Sequence, residues 1–198
     1  MIAFLKGDFV HKTPASVYVD VAGVGYEVHI SLHTYSAIQD LEKGTLYTHL
    51  LVREDAHILY GFAGEGEREL FRMLLGVSGV GAATARVMLS YLKPDELGRA
   101  IANGDARQLE RVKGIGRKTA ERIVLELREK LVKNPVEGGG SAQNISSWKG
   151  NSLETDALNA LVALGIARAA ADAAVRKVVA QSPDLGVEEV IKKALQSL

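Results

Sequence analysis

One short pattern occurs twice in this chain. Gly79-Val80-Gly81-Ala82-Ala83-Thr84-Ala85 and Gly114-Ile115-Gly116-Arg117-Lys118-Thr119-Ala120 match position for position: an aliphatic residue between two glycines, then a Thr-Ala pair three positions on. The second copy lies in the stretch from Leu109 to Leu131, LERVKGIGRKTAERIVLELREKL, where a short helix runs into a glycine corner and a long amphipathic helix leaves it. An internal repeat of this kind governs how the rest of the chain is read. A glycine has no Cβ, so it accepts φ > 0 and lets a ligand come close to the backbone. The corner opens directly into a helix N-terminus, whose first N–H groups lack intrahelical partners and whose dipole is positive. Such a place favours an anion, most often phosphate.

The pattern of aliphatic-x-Gly-aliphatic-Gly-x-x-Thr-Ala between helices resembles the helix-hairpin-helix motif, which grips nucleic-acid backbones without reading sequence. On that resemblance the candidate DNA-binding residues are Gly79, Val80 and Gly81 in the first copy, and Gly114, Ile115, Gly116, Arg117, Lys118, Thr119 and Arg122 in the second. Val80 and Ile115 suit plugs that hold each corner against its own helices. The bland alternative is that Gly-x-Gly only joins two packed helices, and a single copy does not decide between the two. Two copies, one followed at once by Arg-Lys, favour DNA. A Walker loop is excluded, because Gly116 is not followed directly by Lys-Ser/Thr and no glycine stands at the upstream position. A dinucleotide fingerprint is excluded by the missing third glycine and preceding strand. The chain is therefore expected to hydrolyse no ATP by itself.

The 198 residues carry 24 basic and 24 acidic side chains, a net charge of zero that seems wrong for a DNA binder until it is divided. Residues 1–63 hold 4 Lys/Arg against 7 Asp/Glu, residues 64–133 hold 14 against 10, and residues 134–198 hold 6 against 7. The basic excess coincides with the repeat, where a phosphate-binding surface needs it. There is no cysteine, which rules out disulfides and thiolate metal sites. The N-terminus lacks a signal-peptide pattern and no apolar run approaches the ~20 residues of a membrane span, so a cytoplasmic protein is expected.

Residues 1–63 read as β structure. Strand patterns at Phe4–Val10, Ser16–Val21, Tyr26–Ile30, Leu46–Val52 and His57–Phe62, with a helical turn or two in His33–Leu41, suggest a five-stranded Greek-key barrel of the oligonucleotide-binding (OB) type. All five histidines lie here, with no cysteine or carboxylate cluster to complete a metal site, and neither a metal nor another cofactor is expected. Residues 64–133 read as helices: Pro94 with Asp95 and Glu96 marks one start, Asn103-Gly104 a stop, and Asp105 a cap. In the last of them Ala120, Ile123, Val124, Leu127 and Leu131 share one face, with Arg117, Lys118 and Arg128 toward solvent. Residues 134–150 have the composition of a flexible linker, apart from Trp148. Residues 151–198 read as a small three-helix unit broken at Gly165 and Ser182-Pro183, the usual form of a protein adaptor. The fold class expected is thus α+β and multidomain: an N-terminal barrel (1–63), a central tandem helix-hairpin-helix domain (64–133), a linker (134–150) and a C-terminal three-helix bundle (151–198).

Over essentially its full length the chain resembles the RuvA family of Holliday-junction-binding subunits. The carrying motifs are Gly23-Val24-Gly25-Tyr26-Glu27-Val28, Val52-Arg53-Glu54-Asp55-Ala56, Leu59-Tyr60-Gly61-Phe62, both glycine corners, and Ala160-Leu161-Val162-Ala163-Leu164-Gly165. The resemblance implies a homotetramer, an octamer on DNA in its doubled form, that holds an open, square four-way junction on its basic face. It implies that Glu54 and Asp55, which turn chemistry alone would explain as a hairpin tip, form an acidic pin at the centre of that face. It further implies that the tail docks the RuvB motor ATPase through a region including Leu161, Leu164, Gly165 and Ile166, that the RuvC resolvase is a further partner, and that the setting is recombination and repair of damaged DNA under the SOS response. Two positions depart from the family pattern. Ala82-Ala83 stand where a lysine is common, and Ile166 stands where many relatives have an aromatic residue. Two other readings compete: a structure-specific nuclease or glycosylase, which would need a carboxylate cluster or a catalytic Lys/Asp beside a corner, and a protein-interaction module whose corners only pack helices.

Overall fold

The computed structural model describes residues 1–133, 153–182 and 185–197. The chain divides into two compact units, one holding the barrel and the paired corners and the other the C-terminal helices. The expected linker and Trp148 lie outside the described residues.

Five strands close the barrel: β1 (Phe4–Lys12), β2 (Ser16–Val21), β3 (Val24–Ile30), β4 (Lys43–Val52) and β5 (His57–Phe62), in the order β1-β2-β3-β5-β4. All neighbours are antiparallel except β3 with β5, the arrangement of an OB fold. Alternation is the cause: Leu5, Phe9, Val17, Val19, Val28, Ile30 and Leu46 turn inward and are buried together. β1 runs past its expected end because a bulge between Phe9 and His11 resets its pairing with β2. The two-residue turn Ala22-Gly23 has φ of 52° and 90°, and Asp20 Oδ1 accepts the Gly23 N–H at 2.7 Å, as a tight primed hairpin requires. Helix α1 (Leu32–Ile38), capped by Ser31, connects β3 to β4.

Helices α2 (Glu65–Leu75), α3 (Ala82–Tyr91), α4 (Pro94–Asn103), α5 (Ala106–Glu110) and α6 (Arg117–Lys133) follow the barrel. The expected punctuation is present: Pro94 opens α4 with the Glu96 carboxylate accepting the Lys93 N–H at 3.1 Å, Gly104 ends it at φ 79°, and Asp105 Oδ1 caps α5 through Gln108 N at 3.1 Å. One core joins these helices to β5, since Phe71 of α2 stacks on Tyr60 and Phe62 with ring centroids 5.0 and 4.9 Å apart. A buried carboxylate reinforces the seam. Glu67 accepts hydrogen bonds from the Ser31 hydroxyl and from Thr34 Oγ1 at 2.7 Å, and Thr34 Oγ1 in turn accepts the Ala63 N–H at 3.0 Å.

In the second unit, α7 (Leu153–Ala163), α8 (Arg168–Gln181) and α9 (Val187–Ser197) bury a small core of Ala157, Leu161, Ala171, Val175, Val178, Val190 and Ala194. No helix among the described residues is long and apolar enough to cross a membrane.

Candidate nucleic-acid interface

The two glycine corners are the same structure built twice. Val77 N–H donates to Leu74 O at 3.0 Å and Val112 N–H to Leu109 O at 3.1 Å. One turn on, Val80 N–H donates to Val77 O and Ile115 N–H to Val112 O, both at 3.0 Å. Gly79 and Gly114 then take φ of 91° and 92°, a region closed to other residues without strain. Gly81 and Gly116 accept the Ala85 and Ala120 N–H groups at 2.9 and 3.0 Å, which starts α3 and α6. Val80 and Ile115 are buried between the helices. Their side chains are buried in the core and their N–H groups are bonded within the corners.

Open space lies in front of the corners: a Cβ placed on Gly79, Gly81, Gly114 or Gly116 would meet nothing within 4 Å. The N–H groups of these four glycines have no acceptor among the described residues. Each corner therefore offers unpaired amides beside a positive helix end, with room for a phosphate to reach them.

Their charges differ. Beside the second corner, Lys118 is exposed with no partner among the described residues. Arg117 is exposed too, but its Nε donates to Glu121 at 2.9 Å, and this hydrogen bond, with the charges of Glu121 and Glu110, raises its pKa. Thr119 is half-buried. Arg122 reaches across to the first corner, where Nη1 donates to Ser78 O at 3.2 Å. In the first corner the positions equivalent to Arg117, Lys118 and Arg122 are Ala82, which is buried, and Ala83 and Val87, which are exposed and uncharged.

Three further arginines of the helical segment donate to main-chain carbonyls outside their own helices. Arg68 holds Ala3 O at 3.0 Å with its guanidinium 5.4 Å from the Tyr47 ring centre. Arg86 holds Ala15 O at 3.1 Å and meets His29 Nδ1 at 3.3 Å, and Arg128, exposed as expected, also holds Ala102 O at 3.1 Å. Part of the basic excess thus fastens elements together. None of these contacts leaves a trace in local sequence. Glu67 does leave one: it stands three residues before Leu70 and seven before Leu74, on the apolar stripe of α2.

Glu54 and Asp55 form the exposed tip of the β4–β5 hairpin, closed by Arg53 N–H to Ala56 O at 2.8 Å. The cross-strand pair Leu51 and Ile58, three residues from the tip on each side, packs on the core that the helices share with β5. In the second unit, Leu161 is fully buried and Leu164 is 64 % exposed. Gly165, at φ 91°, turns the chain so that Ile166 N–H bonds back to Leu161 O at 3.1 Å, and Ile166 is half-buried on the core. Leu161 therefore supports the surface that Leu164 presents. Asp95 and Asp105 sit at helix starts, and among the described residues no group of three or more His, Asp and Glu could hold a metal.

Three family models match the chain: the RuvA N terminal domain over residues 1–61, the SAM-like helix-hairpin-helix tandem over 71–129, and the RuvA C-terminal domain over 152–198. Its relatives include proteins named Holliday junction branch migration complex subunit RuvA. That of Christiangramia forsetii is 46% identical over 198 residues, that of Flavobacterium psychrophilum 43% over 198, both chains being covered completely in each case. That of Laribacter hongkongensis is 44% identical over 207 residues, covering all of this chain and 98% of its own.

Proposed function

The chain belongs to the RuvA family, and on that premise we propose that it binds four-way DNA junctions as the DNA-holding subunit of a branch-migration complex. The observation that carries this reading is the pair of equivalent corners whose glycine amides, like Lys118 beside one of them, have no partner among the described residues. Backbone amides and flexible cations grip sugar-phosphate without regard to base, which is what a protein moving along a migrating junction needs. The contacting set is Gly79, Gly81, Gly114 and Gly116 through their amides, with Arg117, Lys118, Thr119 and Arg122 around them, and Val80 and Ile115 as supports. In this reading residues 1–63 form the barrel at the centre of a homotetramer, or of an octamer when two tetramers clasp one junction, residues 64–133 the DNA-binding domain and residues 151–198 the partner-binding unit. Glu54 and Asp55 of each copy act as a pin beside the crossover. The C-terminal unit recruits the RuvB ATPase, with Leu164 and the Gly165 turn as its exposed contact, and RuvC joins the same assembly. The chain itself makes and breaks no covalent bond.

A competition assay tests this. A labelled four-way junction is expected to be retained against excess linear duplex of the same sequence, without strand cleavage in Mg²⁺. Lys118→Ala is expected to weaken binding and to lower the magnitude of the salt slope by about 0.9 for each engaged copy, as for one lost phosphate contact. Equal affinity for junction and duplex favours the interaction-module reading, and cleavage favours the nuclease reading.

A further inference from the structure

We propose that Arg122, although it belongs to the second hairpin, completes the first: its guanidinium holds the Ser78–Gly79 peptide and lends that corner the positive charge it lacks. The inference rests on the reading of the corners as phosphate sites. The first corner has the amides of such a site and none of its cations, because Ala82, Ala83 and Val87 occupy the positions of Arg117, Lys118 and Arg122. Arg122 Nη1 nevertheless lies 3.2 Å from Ser78 O. In a planar trans peptide the carbonyl and the following N–H point in opposite directions. Drawing the Ser78 carbonyl toward α6 therefore aims the Gly79 N–H to the other side, and that amide has no acceptor among the described residues. The second corner has no counterpart to this arrangement, since the Lys113 carbonyl accepts no bond among the described residues and Val87 could not supply one. Arg122 lies on the carbonyl side of that peptide, so its charge acts on an anion at the Gly79 amide through space and not through a second hydrogen bond. One side chain thus ties the two corners together and charges the poorer one.

A double-mutant cycle tests the assignment with the full chain and a four-way junction, each variant titrated from 50 to 200 mM salt. The variants are Arg122→Gln, Lys118→Gln and Ala83→Lys, singly and as the two doubles containing Ala83→Lys. All three positions are exposed, and thermal melts check that each variant folds. Arg122→Gln is expected to lower the magnitude of the salt slope by about 0.9 per engaged hairpin, so that it loses about 3-fold less affinity than the wild type over that salt range for each such contact. A lysine at position 83 gives the first corner its own cation. Arg122→Gln should then cost several-fold less affinity in the Ala83→Lys background than alone, whereas Lys118→Gln should cost the same factor in both. If Arg122→Gln costs the same factor with and without Lys at 83, Arg122 does not serve the first corner and the proposal is overturned. If Lys118→Gln also leaves junction binding unchanged, it is the reading of the corners as phosphate sites that fails, and the proposal falls with it.

Discussion

Arg117 and Lys118 are neighbours that are unequally free to meet a phosphate. Lys118 has no partner among the described residues, whereas Arg117 is held by Glu121 one turn along α6, and both members of that pair are exposed. An exposed ion pair is worth little in water, so a phosphate can take Arg117 from Glu121. The Glu121 carboxylate then remains close to the incoming DNA and repels it. Glu121→Gln is accordingly expected to tighten junction binding at low salt and to steepen the salt dependence, read by fluorescence anisotropy at several ionic strengths. Unchanged affinity at 50 mM salt would mean that neither Arg117 nor Glu121 lies near a DNA phosphate. The sequence made the identity of these residues legible, because Gly-x-Gly followed by Arg-Lys is a local pattern. It could not show their partners. Arg122 meets a carbonyl 44 residues away and Arg86 one 71 residues away, and such contacts carry no periodicity.

Elements were far more legible than contacts, since a period of two or of 3.6 is written in the chain itself. The five strands and the helices around both corners lie where alternation, Pro94, Gly104 and Asp105 put them, with β1, β3 and β4 extended by two or three residues at one end. What the pattern concealed is how α2 is fastened to the barrel. The place of Glu67 on the apolar stripe hints at burial, but nothing in the sequence names its partners Ser31 and Thr34 across the seam. Burial pushes its pKa up, and the hydrogen bonds from Ser31 and Thr34 oppose that shift. The native state therefore binds the Glu67 proton more readily than the unfolded chain does. The stability this contributes is fully present below the unfolded carboxylate pKa of about 4.3 and is lost as pH rises through the raised native value. Glu67→Gln cannot ionise, so the stability difference between variant and wild type should move in the variant's favour between pH 4 and pH 7. Urea unfolding at several pH values measures it, and a difference independent of pH would show that Glu67 titrates normally. His49, whose pKa is lowered by burial and then by Arg72 and Arg68, acts in the opposite sense but is common to both proteins and cancels.

At the scale of the whole molecule, attraction and repulsion are carried by different parts of the chain. Residues 64–133 hold the basic excess and residues 1–63 the acidic one, and the acidic part extends Glu54 and Asp55 outward on a hairpin tip. Neither carboxylate has a partner among the described residues. In a tetramer, the tips would gather near the symmetry axis, where strands change partners. Two unit charges 10 Å apart in water interact by only about 0.4 kcal/mol, and at physiological salt the screening length is about 8 Å. On the proposed reading, the pin would act on phosphates at the crossover and scarcely on the arms. It follows that Glu54→Gln with Asp55→Asn should leave junction affinity equal or higher while changing the rate of motor-driven branch migration. Because the effect is electrostatic, the ratio of variant to wild-type rate should approach one as ionic strength rises. Migration at the wild-type rate in low salt would remove the pin from the mechanism, and a rate ratio insensitive to salt would make its role one of shape instead of charge.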